Sequence, residues 1–99
     1  MKQIWKYRLW EHKVEDFPCL RMPYDARILS VQMQDEVTVL WALVDPDMYL
    51  ESRFFRVAGT GHPIRHELGV YIDTFQMNGG ALIFHVFEIS PEVWNAAVN

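Results

Sequence analysis

Apolar and polar positions alternate along most of the chain, and a helical period is hard to find before the last ten residues. Period-two alternation sends successive side chains to opposite faces of a strand, so the pattern predicts a β-rich fold. Met1 to Leu9 reads as a strand with Trp5, Tyr7 and Leu9 on one face and Ile4, Lys6 and Arg8 on the other, followed by a polar connection from Glu11 to Asp16. Cys19 to Met22 is boxed between Pro18 and Pro23. Proline removes ladder donors at both margins, which makes this a short edge strand. After a turn at Pro23-Tyr24-Asp25-Ala26, Arg27 to Gln34 and Val37 to Val44 pair across Asp35-Glu36. A two-residue loop sets Leu29, Val31 and Met33 beside Ala42, Leu40 and Thr38, with Ile28, Ser30, Gln32 and Gln34 beside Leu43, Trp41, Val39 and Val37. Val37 to Val44 is then apolar on both faces. That is the mark of a central strand covered on each side by sheet, helix or a neighbouring subunit.

Asp45-Pro46-Asp47 ends that strand, and the next extended stretch runs from about Ser52 to Ala58 until Gly59-Thr60-Gly61-His62-Pro63 breaks it. Ile64 to Leu68, with Pro63 near its start, is expected to make one helical turn. Val70 to Met77 and Ala81 to Glu88 flank Asn78-Gly79-Gly80, a hairpin signal because tight turns need positive φ. The central pair is either Asn78-Gly79 or Gly79-Gly80. Both registers align Tyr71, Asp73, Phe75 and Met77 with Leu82, Phe84 and Val86, and Val70, Ile72, Thr74 and Gln76 with Ile83, His85 and Phe87. Ser90-Pro91-Glu92 carries the cap, proline and early acid of a helix start leading into Val93 to Val98. The fold class is mostly β: one domain over residues 1–99, a small antiparallel sheet, barrel or sandwich of six to seven strands, with a short C-terminal helix at about 91–98.

Composition adds a partner to this picture. Apolar residues make up 51% of the 99 and aromatics 14%, including four Trp, more ring surface than a small interior readily buries. A homo-oligomer is therefore expected. Thirteen acids against nine Lys plus Arg leave a formal charge of −4, which argues against general nucleic-acid binding. The three Lys (Lys2, Lys6, Lys13) lie in the first thirteen residues, while Arg53, Arg56 and Arg65 gather near the middle. The single Cys19 has no disulfide partner, the N-terminus lacks the apolar run of a signal peptide, and Val39 to Val44 is far too short to cross a bilayer. A cytoplasmic location and no membrane contact are expected. Cys19 reads as a small half-buried hydrophobe beside Pro18.

The candidate chemistry centres on one loop and its neighbours. Gly59-Thr60-Gly61-His62 follows a strand and has the glycines that let backbone N–H groups converge on an anion, or simply a turn with two permissive positions. It lacks the ending of a nucleotide-triphosphate loop and the third glycine of a dinucleotide fingerprint. Arg53 and Arg56 stand three apart, so on a regular strand they point to opposite faces. One pairs with an acid, from the Asp45 to Glu51 segment, and the other is left for solvent or the Gly59 loop with Arg65. His62 and His66 have helical metal-ligand spacing, but Pro63 lies between them and no further ligand completes a zinc signature, so no metal is expected. His85, among Ile83 and Phe87, is either a histidine bonded to a hydroxyl or carbonyl or a ligand-reading group, and Asp73 is either an edge residue or a buried acid with a partner. Ser30, Ser52 and Ser90 sit in no nucleophile motif, and Asp45 with Asp47 is turn chemistry. Stacking of bases on Trp5, Tyr7 and Trp10 is opposed by the net acidity.

Trp41-Ala42-Leu43-Val44-Asp45-Pro46-Asp47, Gly59-Thr60-Gly61-His62-Pro63-Ile64, Thr74-Phe75-Gln76-Met77 and Gly79-Gly80-Ala81-Leu82-Ile83-Phe84-His85-Val86-Phe87-Glu88 carry a resemblance. Together with Ile4-Trp5-Lys6-Tyr7 and Arg27-Ile28-Leu29-Ser30-Val31-Gln32, they make the chain similar to a family of short, uncharacterised bacteriophage and prophage proteins over Met1 to Glu88. Asp35-Glu36 departs from the Asn-Gly turn expected of that family. The resemblance implies a phage context and no established active site.

The expected function is a non-enzymatic phage binding protein acting against host defence, which sequesters an anionic small molecule such as a nucleotide signal and needs no cofactor. Its expected ligand site comprises Arg53, Arg56, Gly59, Thr60, Gly61, His62, Arg65 and His85 in an intersubunit pocket. The alternatives are a stoichiometric inhibitor docked on a host defence protein, a small hydrolase or phosphodiesterase using His62, His66 or His85, and a minor virion component.

Overall fold

In the computed structural model, which describes all residues from Met1 to Asn99, the alternating segments form seven strands. These are β1 (Gln3–Arg8), β2 (Cys19–Pro23), β3 (Arg27–Gln34), β4 (Val37–Val44), β5 (Leu50–Gly59), β6 (Val70–Met77) and β7 (Leu82–Ile89), followed by α1 (Pro91–Val98). Three strands make one sheet in the order β1-β4-β3, and four make the other in the order β2-β5-β7-β6. Every neighbouring pair is antiparallel. Between the sheets lies the core, built by Val31, Leu40, Ala42 and Val44 from the first and Phe55, Val57, Phe75 and Val86 from the second. The β-rich expectation with a terminal helix is met, and β2 is an edge strand as its flanking prolines require.

Asp35 and Glu36 form the two-residue turn, with φ of 48° and 68°, so Gln34 faces Val37 and Met33 faces Thr38. A bulge between Ile28 and Ser30 corrects the far end of that register: Ile28, not Leu29, lies opposite Ala42 and packs on the core, and Leu29 is 43% exposed. A second bulge between Tyr71 and Asp73 moves Tyr71 opposite Phe87 and brings Ile72 to the core. Both bulges sit on β3 and β6, the edge strands at which the two sheets meet. Bulges increase local twist and bend these edges. The Asp73 carboxylate closes the seam, accepting the Val31 N–H at 2.9 Å across the sheets and the Thr74 N–H at 2.8 Å.

The β6–β7 loop is longer than the central pair of either predicted register. Met77 pairs with Leu82, leaving Asn78 to Ala81, with Asn78, Gly79 and Gly80 at φ of 52°, 66° and 95°. The register is the one centred on Gly79-Gly80, with Asn78 and Ala81 left unpaired, so the predicted faces are kept and Phe75 lies opposite Phe84. No strand or helix covers the outer side of β4. Its Val39 is nonetheless only 2% exposed, because long polar side chains from β1 and β3 lie over the apolar stripe. The Lys6 Nζ stands 5.7 Å from the Trp41 ring centroid and donates to the Gln34 Oε1 at 2.9 Å. Within the chain these stems, and no sheet or helix, lie over the outer stripe of β4.

β5 and β6 both run antiparallel to β7, which lies between them. Residues 60–69 must therefore cross from the end of β5 to the start of β6. This crossover contains no helical turn at Ile64 to Leu68, contrary to expectation. Its length is used in spanning the sheet, and Gly69, at φ 74°, ends it against the Glu88 carbonyl. α1 begins at Pro91, with the Ser90 Oγ accepting the Val93 N–H at 3.2 Å. Trp94 anchors the helix, its ring 5.1 Å from that of Phe54 and its Nε1 donating to the Phe17 carbonyl at 2.9 Å. No helix is long and apolar enough to cross a membrane.

One buried polar atom is left over. The Tyr7 hydroxyl is enclosed with no hydrogen-bond partner in the protein, and burial raises its pKa above the ordinary 10.0. The fold thus favours the neutral phenol, so the stability linked to it is intact below pH 10 and falls as pH rises through the raised folded value. Tyr7→Phe is expected to leave stability unchanged or raise it by about 1 kcal/mol at pH 7 and to reduce the alkaline loss, read by urea titration at several pH values.

Candidate functional site

Strand pairing assembles the site. Beyond Cys19 the pairing of β2 with β5 continues, with the Phe55 N–H donating to the Pro18 carbonyl at 2.9 Å and the Val57 N–H to the Asp16 carbonyl at 2.8 Å. Pro18 accepts here but has no N–H to return to the Phe55 carbonyl, so the pairing at this position has one bond instead of two. Phe17 thereby falls opposite Arg56, on the side of β5 that faces away from the core. The Arg56 guanidinium lies 4.8 Å from the centre of the Phe17 ring, donates to the Val57 carbonyl at 2.9 Å and stands 3.7 Å from the Asp16 carboxylate. Asp16 is mostly exposed and Arg56 is not, so this is a loose pair whose acid is readily exchanged.

The start of the crossover supplies the opposite wall. Gly59 to His62 is a turn closed by the His62 N–H on the Gly59 carbonyl at 3.1 Å, with Gly61 at φ 86°. Gly59 serves a different purpose from Gly61. A Cβ on Gly59 would lie 2.8 Å from the His62 Nδ1, so its bare backbone lets the imidazole fold down against the chain. His66 meets the edge of Phe17, with ring centroids 6.0 Å apart. Arg56, Gly59, His62 and Arg65 share a cavity of about 340 Å³ with Asp16, Phe17 and His66. That volume is at the low end for ligand sites. A larger cavity of about 520 Å³, between the hairpin tips at Met33 and Gly79, has no basic side chain.

Of the eight residues singled out by sequence, four therefore line one cleft and four stand apart from it. Arg53 points to the core side of β5, where its Nη2 donates to the Glu88 Oε1 at 2.8 Å, its Nε also bonds that carboxylate, and its Nη1 donates to the Ala26 carbonyl at 2.8 Å. The Glu88 hydrogen bond holds the Arg53 pKa above its ordinary value. Its partner is thus Glu88 rather than an acid of the Asp45 to Glu51 segment. His85 is bonded through both ring nitrogens, Nε2 to the Thr60 hydroxyl at 2.7 Å and Nδ1 to the Thr74 hydroxyl at 3.0 Å, and Tyr71 extends the chain to Thr74 at 2.6 Å. His85 on β7, backed by Thr74 on β6, thus braces the turn at Thr60. Gly61 is exposed at the tip of the turn.

One expectation changes with this geometry. The Thr60 N–H donates to the Ile83 carbonyl at 3.0 Å and the His62 N–H to Gly59, so the loop does not offer a concave set of free amides to an anion. Charged side chains replace them. The lining named above comes from one chain. His62 and His66 both reach it, yet no three His, Cys, Asp or Glu side chains group closely enough to hold a metal ion. Sequence reasoning placed Asp16 in a polar connection and gave Phe17 no part. Their one visible signal was the run Asp16-Phe17-Pro18-Cys19, in which an aromatic precedes an edge strand.

Among known protein families, the chain matches a domain of unknown function, DUF7352, over residues 1–96. No curated protein and no solved structure matches it. The family match runs past Glu88, where the resemblance read from the motifs ended, and takes in most of α1, the helix whose Trp94 holds the Phe17 wall of the cleft. The chain belongs to the DUF7352 family.

Proposed function

We propose that the protein captures an anionic small molecule in the cleft between Phe17 and the Gly59 to His66 segment. One observation carries this reading: Arg56, Arg65, His62 and His66 converge on a cavity whose single acid, Asp16, is mostly exposed. A phosphate group replaces the Asp16 carboxylate on Arg56, forming charge-assisted hydrogen bonds with a planar donor suited to it. The ring faces of Phe17 and His66 accept a flat apolar or heterocyclic part beside the phosphate. The volume matches the phosphate-bearing end of a nucleotide, with the remainder of a larger ligand lying outside.

Capture without turnover fits the lining, which offers cations and rings but no Ser, Thr, Cys or Lys nucleophile. The motif resemblance supports a phage-encoded protein working in the cytoplasm of an infected bacterium, where holding a nucleotide signal would blunt host defence. The aromatic surplus supports a homo-oligomer with one cleft per chain. Calorimetry against mononucleotides, cyclic dinucleotides and inorganic phosphate tests the reading, paired with native mass spectrometry of protein purified from its host. The expected result is one ligand per chain with at least one nucleotide bound more tightly than phosphate. Absence of heat across that panel, with no small molecule retained in the spectrometer, would overturn it.

A further inference from the structure

The four-stranded sheet holds the cleft; the three-stranded sheet has a different surface with its own chemistry. β1 pairs with β4 on one side and with nothing on the other, so its six residues, Gln3 to Arg8, present a bare edge. None of the backbone hydrogen bonds formed outside the sheets uses a β1 residue. Every charged side chain that the strands of this sheet turn outward is a cation. Lys6 lies opposite Trp41, Arg8 opposite Val39 and Arg27 opposite Leu43. Glu11, in the following loop, reaches Arg8 only at 3.7 Å with both groups well exposed, a contact of little strength. In a chain of net charge −4, this is a local reversal of sign. Beside the cations lie exposed apolar groups, Ile4 at 61% and Leu29 at the bulge.

We propose that the edge of β1 accepts an extended acidic segment of a partner protein as a fourth strand. Main-chain bonds to β1 supply affinity, and acidic residues at alternate positions of the partner fall beside Lys6 and Arg8, while the apolar ones between them turn to the other face, beside Trp5 and Tyr7. The charges select this occupant over two others. A second copy pairing through β1 sets Lys2, Lys6, Ile4 and Arg8 against the same set, and any register that aligns the faces brings cations together. Single-stranded nucleic acid needs a series of stacking rings. Here Trp41 is alone among aliphatic Val37, Val39 and Leu43, and Lys6 already lies over it. The surface is separate from the cleft and does not depend on what the cleft binds.

The test uses a short fluorescein-labelled peptide of alternating Glu and Val, read by anisotropy and by amide hydrogen exchange on the full chain. The Glu-Val peptide is expected to bind, to slow exchange within β1, and to bind about tenfold more weakly to Lys6→Glu with Arg8→Glu. Arg21→Glu, on the other exposed edge strand β2, is expected to leave its affinity unchanged. Equal binding of a Lys-Val peptide, slowed exchange outside β1, indifference to the β1 reversal, or tighter binding of oligothymidine would each overturn the proposal.

Discussion

Gly69→Ala is expected to lower stability by about 3 kcal/mol or more, the largest effect of a methyl added at any glycine of this chain. Two costs coincide at this position. Gly69 has φ 74°, where an L side chain is strained, and an added Cβ would stand 2.2 Å from the Glu88 carbonyl oxygen, far inside contact distance. The obstacle is backbone of the central strand β7, paired on both sides, and cannot swing away. Either the crossover must lift from β7 or the β6–β7 pairing must shift at its Val70–Glu88 end. In a domain of this size the loss corresponds to roughly 12 °C or more in Tm, read by thermal unfolding followed by circular dichroism. Gly61→Ala is the control. It also has positive φ, but nothing lies within 4 Å of its added Cβ, so only the smaller conformational cost of about 1 kcal/mol is expected.

The two central arginines are expected to give opposite phenotypes. Arg53→Ala leaves Glu88 and the Ala26 carbonyl without their donor near the core, where the Arg53 side chain is only 17% exposed. Removing one member of a largely buried pair costs more than the pair contributes, because the remaining charge stays desolvated, and a loss of about 2–3 kcal/mol is expected with ligand affinity intact. Arg56→Ala removes a guanidinium whose partners are an exposed Asp16, its neighbour's carbonyl and the face of Phe17. Stability is expected to fall by only about 1 kcal/mol, while affinity for the captured nucleotide drops about thirtyfold or more. Urea unfolding and calorimetry on both variants separate the roles; a matching loss of affinity in both would place Arg53 in the site after all.

That contrast shows which parts of the molecule local rules reach. The opposite pointing of Arg53 and Arg56 follows from strand geometry alone, as do the Asp35-Glu36 turn and the shared face of Phe75 and Phe84, which both hairpin registers give. The bulges beside Leu29 and Ile72 were not legible, because they answer to the meeting of β3 with β6, two strands distant in sequence and joined by the Asp73 carboxylate. The crossover was misread for a related reason. Pro63 and a few apolar residues resemble a helix start, but the demand that β5 and β6 lie on either side of β7 stretches the segment instead.

The cleft was half visible for the same reason. Gly59, His62 and Arg65 are near neighbours in the chain, and Arg56 precedes Gly59 on the same strand, so a loop-centred reading gathers them. Phe17 and Asp16 enter only through ladder bonds to Phe55 and Val57, nearly forty positions later. Their contribution depends on Pro18 acting as an acceptor in the ladder. His85 attracted notice as a polar residue among apolar ones. Its explanation is a pair of threonine hydroxyls, one of which comes from the Gly59 turn, so it holds the loop that the ligand is proposed to meet.

Amide chemical-shift mapping by nuclear magnetic resonance, with titration of the best-bound nucleotide into the full chain, tests ligand capture most directly. Saturating shifts at Phe17, Arg56, Gly59, His62 and Arg65, with smaller ones at Thr60 and His85 behind the turn, are the predicted result. Shifts confined to β1, β3 and β4, or the same cleft shifts retained at the same concentrations in Arg56→Ala, would contradict it.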